Sequence, residues 1–476
     1  MQAHLFAGIE PTYTGNRNFS PHVRYAMLVL RTRLRSRNIV RSILVGGLLL
    51  PILGASVACA SPNFPFPRNH DYAHGIRSKL TTDSAYEGQA VYDNWLSRNF
   101  VDSGATANVG YTSCHLSYAM LVMVYMDNAK NNTQSKFDQL LARYDAHLDT
   151  NGLMNYRSVS GNNAATDADL DAAMALLLAY KQWGTQRYLD SAKAMIGHIW
   201  RWEVDSTNNL KPGDAWNTYK NPSYLNFAAL HMFSLVDAND WASVLSNSWT
   251  LLKANLASPE CTAHLPSDWC APDGTPVNGK SGRQFQADAM RVPWRAGIAW
   301  SWYGDSAGWG ADTGVTGFAL SSKHRISGHP DSISYWYGLG GQSASPYPSY
   351  MRGTFTSAAM VDPTFQTWLD TLYGRLKADT SNEVYVASLN LLALLYASGN
   401  FNDFWDASAT SSIQPGPSRF SESVAGKFDL SKAELFDLSG RRIGRERAGR
   451  PRLVLARMGQ PDGSFRTWRV IASATE

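Results

Sequence analysis

The chain is short of charge: Asp, Glu, Lys and Arg together make up 17% of its 476 residues. It has only four cysteines, no CxxC pair and no His/Cys cluster at zinc-ligand spacing, which excludes the common structural zinc sites. No Gly-rich loop of the P-loop or dinucleotide-binding kind is present, which removes the usual nucleotide signatures. The net charge is a modest +4, and much of the positive charge sits at the two ends, which argues against a nucleic-acid groove through the middle. A long unbroken apolar run is also missing. The apolar stretch at 43–57 is interrupted by Gly46, Gly47, Pro51 and Gly54, and is too short for a stable membrane span.

What is abundant is aromatic surface: 12% Phe, Trp and Tyr, with 16 Trp. Such an excess over charge suits a protein that offers flat apolar faces to a ligand, although a large helical core uses Trp as well. The N-terminus reads as a targeting segment. Arg31, Arg33, Arg35, Arg37 and Arg41 precede the apolar stretch, and the small residues Ala58-Cys59-Ala60 end it. Residues 1–60 are therefore expected to lie outside the fold, with Met27 a candidate initiator, cleavage after Ala60 and a secreted product. Cys59 sits behind only a weak lipobox. Export permits a Cys261–Cys270 disulfide across a short loop, the alternative being two independent buried thiols.

Along the chain, residues 61–81 read as an extended lead-in. From 82 to 405 helical periodicity recurs, punctuated by Gly, Pro, Asn and Asp. The spacing predicts helices near 85–99, 116–126, 135–148, 168–183, 186–202, 223–236, 240–256, 290–303, 363–376 and 384–397, with weaker stretches near 315 and 355. About a dozen moderate helices with no intervening strands suggest a closed all-α toroid. Residues 406–420 are rich in Ser, Thr, Gly and Pro and read as a linker. Strand-like runs then predict a small C-terminal β-module over 421–476. The expected oligomeric state is a monomer.

The most informative run is Ala165-Thr-Asp-Ala-Asp169, followed by an apolar helix that ends at Trp183. Thr166 and Asp169 have the spacing of a capping box, and Asp167 and Asp169 suit the positive end of a helix dipole. A purely structural role would thus account for both aspartates.

The same run is similar to the signature of glycoside hydrolase family 8. The resemblance continues in order through Asn151-Gly-Leu-Met154, Leu210-Lys-Pro-Gly-Asp214, Trp216, Asn221-Pro-Ser-Tyr224, Asp288-Ala-Met-Arg291 and Gly399-Asn-Phe401. It implies an (α/α)6 barrel that hydrolyses β-1,4 bonds of a β-glucan polysaccharide with inversion. Carboxylates and water suffice for that chemistry, so no metal or organic cofactor is implied. The resemblance also implies that Asp288 is the catalytic base, Asp167 positions the sugar ring, Trp216 and Tyr224 contact sugar, and Arg291 lies beside the base. An ion pair of Asp288 with Arg291 or Arg295 is the structural alternative.

One departure stands out. In the stretch Ser113-Cys114-His115-Leu116-Ser117-Tyr118-Ala119-Met120, Cys114 occupies the position where the family carries its general-acid Glu. A thiol is a weak hydrogen-bond donor on a shorter stem. Glu87 and His115 are the substitutes to consider, and three neighbouring departures also fit a short compensated frameshift. Two further readings accompany the endoglucanase: an impaired barrel that binds β-glucan without cutting it, and the same fold acting on chitosan or xylan. A purely structural barrel leaves the ordered motif series unexplained.

Overall fold

The computed structural model describes residues 61–405, leaving out 306–327 and a few shorter stretches; beyond residue 405 it describes three strands. Eleven α-helices occur among the described residues. They are α1 (Glu87–Asn99), α2 (Ser113–Tyr125), α3 (Gln134–Asp145), α4 (Thr166–Trp183), α5 (Gln186–Glu203) and α6 (Phe227–Phe233). Then follow α7 (Trp241–Leu256), α8 (Val292–Tyr303), α9 (Pro348–Ala358), α10 (Gln366–Lys377) and α11 (Val384–Ala397).

They sort into two kinds by composition. Every residue of α2 is buried, and α4, α6, α8, α9 and α11 are buried along most of their length. Helices apolar on all sides belong inside a protein. α1, α3, α5, α7 and α10 bury one stripe, such as Tyr188, Ala192, Met195, Ile196 and Ile199 of α5. The inner helices pack in the cyclic order α2, α4, α6, α8, α9, α11 and back to α2, and each amphipathic helix lies against one of them. The architecture is the expected (α/α)6 barrel. The helix expected near 315 falls outside the described residues, as does the targeting segment at 1–60.

The two ends of the barrel differ. Gly184 and Gly304, both at positive φ, terminate α4 and α8 in the left-handed conformation that a side chain would disfavour. The orphan carbonyls near these ends need partners, and residues 61–81 supply them. The amide of Asn63 donates to Gln182 O, Phe66 to Asp127 O, Ile76 to Met360 O and Ser78 to Ala397 O. Phe64 and Phe66 are buried beneath the helices, and Phe64 stacks on Phe404 at 4.2 Å. The lead-in and residues 399–405 thus close the floor, and the N-terminal ends of the inner helices form the opposite, functional face.

Three short sheets complete the description. β1 (Val101–Asp102) pairs with β2 (Ala107–Asn108), and β3 (Gln284–Phe285) with β4 (Tyr337–Gly338). Towards the C-terminus, β5 (Glu434–Phe436), β6 (Arg452–Gly459) and β7 (Phe465–Ala472) form an antiparallel sheet in that order. No described helix is long and apolar enough to cross a membrane.

One local expectation is corrected and one alternative is decided. The N-cap of α4 is Ala165, which makes no side-chain cap, so Thr166 and Asp169 do not form a capping box. Both are fully buried: the α4 terminus faces protein, and its side chains turn towards other buried groups. Of the two possibilities for Cys261 and Cys270, the structure has the second: both are free, buried thiols in the loops that follow α7.

A buried charge pair joins two inner helices. Arg295 of α8 donates to both oxygens of Asp171 of α4, each at 2.7 Å, with both side chains out of water. Asn226 at the start of α6 donates to the same carboxylate at 2.7 Å. Removing one partner strands a charge in the core. Arg295→Met is expected to destabilise the barrel by about 3–5 kcal/mol, read as a lower midpoint of denaturant unfolding. The paired change Asp171→Leu with Arg295→Met should recover much of the loss.

Candidate active site

The candidate residues gather at the N-terminal ends of the inner helices, where Asp167, Cys114, Arg291 and Tyr224 are buried and Asp288 is partly exposed. Asp167 is the second residue of α4, and Cys114 the second of α2. Asp288 and Arg291 lie in the short 3-10 turn that leads into α8, and Tyr224 closes a similar turn ahead of α6. Orphan amides at helix starts make such a face electropositive, which favours carboxylates there.

Arg291 organises the site. Its Nη1 donates to Asp167 Oδ2 and, at 3.2 Å, to Tyr118 Oη. Its Nη2 donates to Asp288 Oδ1 and to Ser223 Oγ, both at 2.7 Å. The planar guanidinium therefore fixes the relative orientation of two carboxylates that would otherwise repel. They are not equivalent. Asp167 has no solvent exposure, whereas the Asp288 side chain keeps 29%. Asp288 also accepts a hydrogen bond from Trp269 Nε1 at 3.0 Å. Burial by surrounding protein raises the Asp288 pKa, with Arg291 opposing the shift and Asp167 adding to it. A raised but accessible carboxylate, held by two donors, has the chemistry of a general base.

Position 114 is adjacent. Cys114 Sγ donates to Asp167 Oδ2 at 3.3 Å, the same oxygen that Arg291 holds. Burial and the neighbouring Asp167 push its pKa well above the usual thiol range, so the group is a neutral SH at ordinary pH. Neither proposed substitute supplies a protonated acid here. Glu87 is occupied elsewhere: Tyr373 Oη donates to it at 2.7 Å and Lys377 Nζ at 2.6 Å, on the outer helices. Burial lowers the His115 pKa to about 4, and its ring packs against Gly110 and Tyr385, which makes it a neutral imidazole.

The predicted sugar contacts split. Tyr224 is almost buried, with Arg291 5.3 Å over its ring and Trp269 edge-on at 6.0 Å. One face is thus taken, and its hydroxyl lies in the field of Asp167 and Asp288. Trp216 is half-buried in a loop anchored to the start of α4. Gly213 comes so close to Ala164 that an added Cβ would lie 2.3 Å from its carbonyl oxygen. Arg295, weighed as a partner for Asp288, pairs with Asp171 instead.

Sequence reasoning missed three supports. Asp268 accepts the amides of Gln286 and Ala289 at 3.0 and 2.8 Å and so holds the Asp288 turn. The Asp171–Arg295 pair lies one helical turn beneath Asp167 and Arg291, and i,i+4 spacing in both helices was the available signal. The third is a buried carboxyl pair, Asp169 and Glu203, with Tyr144 donating to Asp169.

That pair gives a pH prediction. Burial raises both groups, Asp169 to about 8, and the charges of Asp167 and Asp214 add to the shifts on Asp169 and Glu203 respectively. The fold therefore binds protons that the unfolded chain releases near pH 4, so this stabilisation is full below about pH 4. It is lost as pH rises through 8. The melting temperature is expected to fall from pH 6 to pH 9, and less steeply in Glu203→Gln.

Among the described residues there is no group of three His, Cys, Asp or Glu side chains placed to hold a metal ion. Comparison with known proteins gives a consistent picture. The sequence profile of "Glycosyl hydrolases family 8" matches residues 64–399. Endoglucanase 2 of Ruminiclostridium josui is 32% identical over 389 residues, covering 75% of this chain and 81% of the relative. The Beta-glucanase of Niallia circulans is 28% identical over 393 residues, covering 74% and 94%. The apo structure of a Beta-1,3-1,4-glucanase from Paenibacillus sp. X4 superposes with a TM-score of 0.67 at 26% identity, covering 71% of this chain and 99% of that one. A cold-adapted family 8 xylanase shares the fold, with a TM-score of 0.56 at 19% identity, covering 71% and 98%.

Proposed function

The chain belongs to glycosyl hydrolases family 8, and from that premise we propose that its site is built for inverting, endo-acting hydrolysis of β-1,4 bonds in a β-glucan. The observation that carries this reading is the Arg291 bridge, which sets a buried Asp167 and a partly exposed Asp288 side by side on the open face. In this mechanism Asp288 accepts a proton from water as that water attacks the anomeric carbon. Asp167 holds a ring hydroxyl between base and acid. Position 114 faces the leaving oxygen, which must gain a proton as the glycosidic bond breaks. Trp216 and Tyr224 contact the sugars, and Arg291, the third residue expected to face them, holds the two carboxylates in place. The proposed product is secreted, with residues 1–60 as the targeting segment and 421–476 as a separate β-module.

Cys114 favours a second reading. A neutral, buried thiol hydrogen-bonded to Asp167 is a poor proton donor to an ether oxygen. The chain as it stands is then a β-glucan binder with slow or no turnover. Reducing-end release from carboxymethyl-cellulose, mixed-linkage β-glucan, xylan and chitosan, measured beside binding to each, separates these readings. Cleavage or saturable binding confined to the β-glucans supports the assignment, and response to xylan or chitosan alone overturns the substrate class.

A further inference from the structure

Among the described residues, the side of the site that releases the leaving group holds several proton donors but no acid. The amide of Ser113, next to Cys114, donates to Tyr156 O at 3.0 Å, so residues 156 and 157 border position 114. Burial raises the Tyr156 hydroxyl to about 12, with the charge of Cys114 adding to the shift and Arg157 opposing it. Tyr118, Tyr224 and Tyr385 are buried phenols pushed further up by burial. Arg291 is a permanent cation, and Cys114 is a neutral thiol bonded to Asp167.

The carboxyl groups nearby are committed elsewhere. Asp169 and Glu203 have no solvent exposure, and Asp171 is paired with Arg295. Asp268 is buried and accepts the amides of Gln286 and Ala289 on the base side. Glu87 is held by Tyr373 and Lys377 of α10.

The base side, by contrast, is fully equipped. Asp288 keeps its partial exposure, Trp269 and Arg291 fix its two oxygens, and Arg291 also holds Asp167. An inverting displacement makes two separate demands: the attacking water must lose a proton, and the departing oxygen must be stable once its bond to carbon breaks. This site meets the first demand with Asp288. It meets the second only when the departing oxygen is stable as an anion. Arg157 lies 5.2 Å over the Tyr156 ring and places a positive charge on that side, which favours a departing anion.

We propose that the chain as it stands hydrolyses aryl β-glucosides, β-glucan oligosaccharides whose leaving group is a phenol, while bonds between two sugars stay nearly uncut. This rests on the glucan reading above, with Asp288 as the base. The water oxygen bonds to the anomeric carbon as the bond from that carbon to the phenolic oxygen breaks, and Asp288 takes the proton of the water. The electron pair of the broken bond leaves with the phenolate, which collects a proton from solvent after release. An aromatic ring spreads that charge, which a sugar alkoxide cannot do. Selectivity therefore follows the acidity of the leaving phenol.

The test uses the full chain with dinitrophenyl β-cellobioside and phenyl β-cellobioside, and reads the released phenol by absorbance. Dinitrophenol is far more acidic than phenol, whose pKa of about 10 is that of tyrosine. The chain as it stands is expected to cleave the dinitrophenyl glycoside about 10²-fold faster or more in kcat/KM than the phenyl glycoside, and Asp288→Asn to remove most of that cleavage. Cys114→Glu is expected to raise cleavage of the phenyl glycoside by about 10²–10⁴-fold and of the dinitrophenyl glycoside by less than about tenfold, because only the former needs a proton. Equal rates on the two glycosides in the chain as it stands overturn the proposal alone. So does dinitrophenyl release no faster than in Asp288→Asn while Cys114→Glu cuts mixed-linkage β-glucan. No cleavage of either glycoside or of β-glucan by either chain overturns the glucan reading as well.

Discussion

Replacing Cys114 with glutamate is expected to raise reducing-end release from carboxymethyl-cellulose and mixed-linkage β-glucan by about 10²–10⁴-fold, the usual contribution of a general acid. The geometry is already suited to a carboxyl group. Residue 114 starts an inner helix on the open face, and its side chain reaches Asp167 Oδ2 at 3.3 Å. A glutamate carries its polar atoms further from the backbone than a cysteine does. Close to Asp167 and out of water, its carboxyl pKa would be raised by burial and by like charge, which keeps it protonated until the leaving oxygen needs the proton. Equal rates for the chain as it stands and for Cys114→Glu would mean that another group supplies the proton.

In that active background Asp288→Asn is expected to lower turnover by about 10²–10⁴-fold, the corresponding contribution of a general base. Asparagine keeps one oxygen, which can accept from Arg291 Nη2 as Asp288 Oδ1 does at 2.7 Å, while its amide nitrogen replaces Oδ2 and gives up the bond from Trp269 Nε1. Arg291 also retains Asp167, Tyr118 and Ser223. The melting temperature should therefore fall only by the scale of one lost hydrogen bond, about 1 kcal/mol, while the ability to take a proton from water is lost. A variant that still turns over at the parent rate would assign Asp288 to the ion pair alone. The sequence left that structural alternative open, and the pair with Arg291 does exist; it orients the carboxylate while leaving it partly exposed.

The barrel was legible because its two helix types differ in pattern. α5 announces itself by one apolar stripe, and α4 and α11 by apolar runs too long for strands. Boundaries failed where side chains intervene. A single helix was expected over 223–236. Instead Asn221 Oδ1 accepts from the Ser223 amide and Asn226 Oδ1 from the Ala229 amide, which splits the segment into a 3-10 turn and a short α6. The capping box failed because Thr166 is already inside the helix. In the floor formed by residues 61–81 only the extended backbone is legible from sequence, since its hydrogen bonds run to carbonyls up to hundreds of residues away. The site was visible through local motifs, but their meeting was not. Arg291 joins residues 167, 223 and 288, and nothing local to any one of them specifies that junction. Asp169 and Glu203 stayed hidden for the same reason, because only the packed structure shows two carboxyls buried together.

Proton NMR of the first product anomer tests the account most directly. Cys114→Glu is incubated with mixed-linkage β-glucan, and the anomeric signals are followed before mutarotation. A water activated by Asp288 on the face opposite the leaving group must give the α-anomer first. The β-anomer first would show that a carboxylate attacks the sugar itself, and would contradict the assignment of Asp288 as the base that activates water.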